Sequence, residues 1–185
     1  MTEAEAIPAG ARSEPPFFAV SLLKLTVLSL CSFGIYQALW LYWNWRIVKR
    51  REQTNISPFW RTFLAFFYCY PFFKKVDAQA VALHLNRSIP AGVLAALWVI
   101  INFLWLLPDP WGLLCFLTFA PLLPVQALVN RINAVAAPDH DPNRRFSVWN
   151  WIAIVVGGAL LILIIVSSFF PLPLPDPDID SLLGS

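Results

Sequence analysis

Three side-chain amides, Gln126, Asn130 and Asn133, stand at positions i, i+4 and i+7. On a helix this spacing holds them within about 60° of one face. Amides in an apolar run can line a path for a small polar solute, receive a lipid headgroup, or hydrogen-bond to a neighbouring helix. Asn102 and Asn150, set in other apolar runs, are candidate partners.

The largest charge feature is basic. Arg46, Lys49, Arg50 and Arg51 follow one another closely, with Arg61, Lys74 and Lys75 downstream. Cations gathered beside apolar segments attract anionic headgroups or acidic partners, each worth about 1 kcal/mol at a charged surface. The same residues can instead serve only to orient the chain in a bilayer.

Other chemistry finds little footing. No G-x-S-x-G, H-E-x-x-H or G-x-x-x-x-G-K run occurs, which leaves the usual hydrolase, zinc and phosphate-binding readings without a motif. Cys31, Cys69 and Cys115 are about 40 residues apart and each lies in an apolar run, so they read as small core residues rather than a metal or redox pair. Asp139-His140-Asp141 with Asn143 lacks the glycine and terminal glutamate of a calcium loop and reads as a solvated turn. His84 reads as an interface residue. No cofactor or metal is expected. A net charge of +2 gives no general field for nucleic acid.

The elements that must carry these residues follow from composition. The chain has 185 residues, 58% hydrophobic and 13% charged. Soluble domains are about 45–50% apolar and about 25% charged, so this excess calls for lipid. Residues 1–16 read as a short disordered tail rather than a cleavable signal, and 171–185 as a Pro-rich acidic tail. Between them, 17–170 reads as a membrane domain with spans at about 25–45, 91–107, 111–129 and 148–170. Gly34 can kink the first span or divide it into two half-helices. Pro121 and Pro124 interrupt the third. Pro108-Asp109-Pro110 marks a tight turn between antiparallel neighbours. The aromatic run Phe59–Phe73 is short for a span and carries Arg61 and Pro71. It fits an interfacial or re-entrant helix, followed by an amphipathic stretch at 76–87. A polar loop is expected from about Asn130 to Ser147.

The predicted fold class is therefore all-α: a polytopic membrane helix bundle of about four transmembrane helices plus an interfacial or re-entrant aromatic-rich helix. With 59–87 not spanning, eleven of the thirteen Lys and Arg fall in the two loops 46–90 and 130–147 on one side. This places both termini outside by the positive-inside rule. Arg12 and Lys24 then lie on the wrong side. A re-entrant first segment with an inside N-terminus is the alternative.

The run LKLTVLSLCSFGIYQALWLYWNWRIVKRRE, residues 23–52, carries Ser32, Gly34, Ile35, Tyr36, Trp40 and Tyr42 ahead of its basic exit. With ISPFWRTFLAFFYCYPFFKK and PVQALVNRIN, it resembles small bacterial inner-membrane proteins grouped only as a domain of unknown function. The likeness covers about half the chain. It implies a bacterial inner-membrane location and brings no activity, cofactor or catalytic residue with it.

The expected role is that of a non-enzymatic accessory or scaffold protein. Its expected partners are membrane lipids, or another membrane protein met through the basic 46–90 region. The alternative is a small channel or transporter using the Gln126/Asn130/Asn133 face.

Overall fold

A computed structural model describes residues 14–170; residues 1–13 and 171–185, with most of the two expected tails, lie outside the described range. Every regular element among the described residues is helical: α1 (Leu22–Cys31), α2 (Ile35–Glu52), α3 (Pro58–Phe63), α4 (Ala65–Ala82), α5 (Ala91–Phe103), α6 (Leu122–Ala136) and α7 (Val148–Phe169). Two 3-10 helices, Leu104–Leu106 and Trp111–Phe119, join α5 to α6.

Before α1 the chain is non-helical, bent at Pro16-Phe17 and extended at Ser21. Pro15-Pro16 disfavours helix, and Phe17–Val20 runs through the core with Phe17 and Val20 fully buried. Ser21 then starts α1, its hydroxyl accepting the Lys24 N–H at 3.2 Å. α1 lasts ten residues and stops in a Schellman pattern: Gly34 N–H donates to Ser29 O at 3.1 Å and Phe33 N–H to Leu30 O at 3.3 Å. Phe33 (φ 52°) and Gly34 (φ 85°) both lie in the left-handed region. The Phe33 ring packs edge-on against Phe116, and Ser32 Oγ accepts from Tyr36 N–H to open α2. Of the outcomes open for 25–45, Gly34 divides the segment into two arms reversed at 32–34, and the single span expected there is not formed.

Both arms meet at one end of the molecule. Arg51, near the end of α2, reaches the Pro16 carbonyl at 3.5 Å and covers the Phe17 ring. Lys24, in the first turn of α1, donates to the Arg145 carbonyl and to Asn143 Oδ1. Lys24, opposite the basic loops in the favoured arrangement, instead joins them together with Pro16, as the re-entrant alternative has it; Arg12 lies outside the described residues. Pro16 is also buried rather than part of a loose tail.

α3 and α4 repeat the motif. α3 runs down beside α2, so that Phe63 approaches Ile35 and Leu39. α4 returns until Lys75 pairs with Glu52 at 2.8 Å. The stretches 59–73 and 76–87 are thus not two separate pieces. One helix runs from Ala65 through Pro71 to Ala82.

α5 starts beside α4, where Asp77 Oδ1 accepts the Ile89 N–H. It descends until Phe103 stacks on Phe66. Past the 107–110 turn, α6 climbs back to the basic end. Pro121 caps α6 and Pro124 lies in its first turn, positions that need no donor, so neither breaks it. α6 extends to Ala136, which makes helical the first part of the polar loop expected from Asn130. α7 follows with nearly the expected bounds.

Two helical runs are long and apolar enough to cross a membrane, Trp111–Ala136 and Val148–Phe169, fewer than the four expected. The first expected span is lost to the reversal at Gly34. The second, 91–107, contains a thirteen-residue helix and a single 3-10 turn.

The core gathers around Phe72, whose ring meets Phe17, Trp40 and Trp45 at centroid distances of 5.9, 5.4 and 5.7 Å. α2, α4, α6 and the non-helical arm wrap it. α7 stays outside this core. It packs on α1, and of its residues only Gly157 is buried.

Candidate functional site

Gln126, Asn130 and Asn133 do share one face of α6, and that face is turned inward onto the non-helical arm. Asn133 grips Phe17 twice: Oδ1 accepts its N–H at 3.2 Å and Nδ2 donates to its carbonyl at 2.9 Å. Gln126 Nε2 reaches the carbonyls of Phe18 and Val20. Asn130 Nδ2 also donates to Val20 O, at 3.0 Å. From the other side, Asn44 of α2 accepts the Phe18 N–H and Asn143 donates to Ala19 O. Each carbonyl from Phe17 to Val20 therefore has a side-chain donor.

The physical reason is the arm's conformation. A buried segment outside any helix or sheet leaves its polar backbone unpaired. Each buried unpaired group costs about 1–3 kcal/mol. Amides carry both a donor and an acceptor, so they can stand in for a neighbouring strand. Gln126 and Asn133 are fully buried and engaged by these bonds, whereas Asn130 also borders an open cavity of about 500 Å³ lined by Ser21, His140 and Arg144.

A second polar stripe went unread in the sequence. Gln37, Trp40 and Asn44 lie at i, i+3 and i+7 on α2 and are buried. Trp40 Nε1 donates to Gln126 Oε1 at 2.6 Å. Gln37 donates to Thr118 at 2.8 Å and accepts from Trp98 at 3.0 Å. The spacing was a legible signal, hidden by the aromatic residues around it. Of the other amides considered, Asn102 bonds within its own helix to Trp98 O. Asn150, with its amide oxygen toward α1, accepts from Lys24 Nζ at 3.2 Å.

Below these ties, the reversal at Gly34 borders two small cavities. One of about 210 Å³ is lined by Gln37, Cys69, Trp98 and Asn102. Another of about 270 Å³ is lined by Ser29, Asn102, Cys115 and Thr118. The three cysteines are free. The Asp139–Asn143 stretch forms a turn, with His140 Nδ1 against the Ala137 carbonyl and Asp141 accepting the Asn143 N–H.

The basic residues gather at one end but differ in their commitments. Arg50 pairs with Glu14 at 3.7 Å, Arg51 with Glu52 at 3.5 Å, and Lys75 with Glu52 at 2.8 Å. Arg61 is folded back over Trp45 at 4.4 Å and Tyr68 at 5.1 Å. Arg46 lies over Trp43 at 5.1 Å and has no acidic partner among the described residues. Lys49 and the exposed Lys74 likewise have none there. At the far end, beyond Phe103, Asp109 is the one charged residue in the described connection to α6.

Comparison with protein families, with curated proteins and with solved structures finds no match. The site's own chemistry therefore carries the functional reading.

Proposed function

We propose that this chain is a polytopic integral membrane protein of a bacterial inner membrane. In this reading it acts without catalysis, as an accessory or scaffold subunit. Its basic cytoplasmic end meets anionic lipid or the acidic surface of a partner.

One observation carries the reading. Lys and Arg collect at one end, while α7 and the α5–α6 connection expose large apolar side chains such as Val155, Ile162, Trp105 and Trp111. A water-soluble surface does not leave so much contiguous apolar area bare. A bilayer covers it and favours cations on the cytoplasmic side. In this arrangement Trp111–Ala136 and Val148–Phe169 cross, and the shorter apolar run Ala91–Leu106 crosses beside them, the 107–110 turn completing its depth. The α1–α2 and α3–α4 hairpins dip in from the basic side and return. Backbone that is not helical at membrane depth survives only when buried in protein, and the amide-bound arm meets that condition.

Topology reporters fused after residues 16, 55, 88, 109, 140 and 185 test this. Sites 16, 55, 88 and 140 are expected on the cytoplasmic side, and 109 and 185 opposite. A reporter at 16 opposite that at 55 would restore a spanning first segment. Recovery of the folded chain from a detergent-free aqueous fraction would overturn the membrane reading altogether.

A further inference from the structure

The outward face of α2 is graded along its length. Ile35 and Leu39 lie at its deep end, 65% and 48% exposed. Tyr42 and Trp43 come next, then Arg46 and Lys49. At 100° per residue all six fall on one stripe. From Ile35 to Arg46 the rise is about 16 Å, close to the roughly 15 Å of hydrocarbon in one leaflet. Apolar, aromatic and basic levels thus succeed one another at the depths of acyl chain, interface and phosphate.

An open apolar groove flanks the stripe on each side. Toward α7 it measures about 550 Å³ and is lined by Leu28, Trp149, Ala153, Val156 and Leu160. Toward α3 it measures about 400 Å³ and is lined by Ala38, Tyr42, Phe59, Thr62 and Phe63. Ile35 and Leu39 form the wall between them, belonging to both.

Resting on the membrane reading above, we infer that α2 is straddled by one two-chain anionic glycerophospholipid of the cytoplasmic leaflet. One acyl chain lies in each groove, and the phosphate sits at Arg46 and Lys49. Charge selects the occupant. Arg50, Arg51 and Lys75 are engaged with Glu14 and Glu52. Arg46 and Lys49, which top the shared wall, have no acid partner among the described residues. Trp43 supports one face of the Arg46 guanidinium at 5.1 Å. Its edge N–H groups remain able to take phosphate oxygens in pairs.

The test is native mass spectrometry of the full chain from phosphatidylcholine nanodiscs doped with phosphatidylglycerol. Wild type is expected to retain one phosphatidylglycerol. Arg46→Gln with Lys49→Gln should lower retention about tenfold or more, as loss of two surface cations implies, with melting in pure phosphatidylcholine unchanged. Ala153→Phe and Thr62→Phe, each filling one groove, should lower retention with the cations intact. Arg87→Gln with Arg131→Gln, exposed and lining neither groove, should leave it unchanged. Retention unaffected by the Arg46/Lys49 pair, or lowered equally by the Arg87/Arg131 pair, overturns the lipid site. A chain that inserts with the expected topology but shows no preference for phosphatidylglycerol overturns this inference alone. A chain found in the aqueous fraction overturns the reading beneath it.

Discussion

Residues 22–52 and residues 148–169 begin as the same kind of sequence, a long apolar run entered at the basic end, yet they fold oppositely. The second remains one helix and lies outside the core. The first reverses at Phe33-Gly34 and brings its second arm back to its starting end. The second arm of the first region is less apolar than α7, but neither hydropathy nor length says where the chain turns or to which end it returns. Glycine shows its basis. Gly34 is needed for an angle: its φ is 85°, and an added Cβ would meet nothing within 4 Å. Gly157 is needed for space: a Cβ there would run into the Cys31 carbonyl of α1. One glycine turns a chain around, and the other lets a straight helix dock.

Three substitutions break or sharpen that contrast. The largest effect is expected from Asn133→Leu. It strips both partners from the buried Phe17 backbone and so unseats the arm on which α1 depends. At about 1–3 kcal/mol for each orphaned group, unfolding of the purified protein in mild detergent should shift by roughly 2–6 kcal/mol. A surface change on α7 such as Val155→Ala should stay within about 0.5 kcal/mol. Equal effects from the two would mean the arm is not held as described.

Gly157→Ala comes next. Overpacking of a close helix crossing costs about 1–3 kcal/mol, and it should loosen α7 from α1. Cross-linking reads this directly. A Cβ at position 158 lies 3.8 Å from Cys31 Sγ, so Gly158→Cys should form a disulfide with Cys31 under mild oxidant. Adding Gly157→Ala should reduce its yield. Undiminished cross-linking would show that the crossing tolerates a methyl group.

Gly34→Ala should do least, about 1–2 kcal/mol, because only the left-handed conformation opposes it. Stability should fall while the Gly158→Cys cross-link still forms. Loss of the cross-link would show instead that the reversal and the α7 contact are one unit.

Part of the site was open to reading in advance. The i, i+4, i+7 spacing of Gln126, Asn130 and Asn133 places them on one face whatever they touch, since that follows from helical pitch. The basic cluster after Trp45 is a matter of order along the chain. What the amides touch was not readable, because their partner is backbone. Phe17–Val20 carries no side-chain signature of being clamped. Pro15-Pro16 says only that the arm is not helical, not that it is buried. The α3–α4 hairpin was obscured in a similar way: Pro71 looked like an ending, but α4 continues through it.

By itself the sequence determined the helical class, the bounds of α7 and the clustering of cations, because each depends on local periodicity or on composition within a short window. The tertiary structure decided which apolar runs stay straight, which end the first arm returns to, and which cations are neutralised. Those outcomes depend on groups far apart in the chain, Asn133 against Phe17, Glu52 against Lys75 and Gly157 against Cys31. No local pattern encodes such distances.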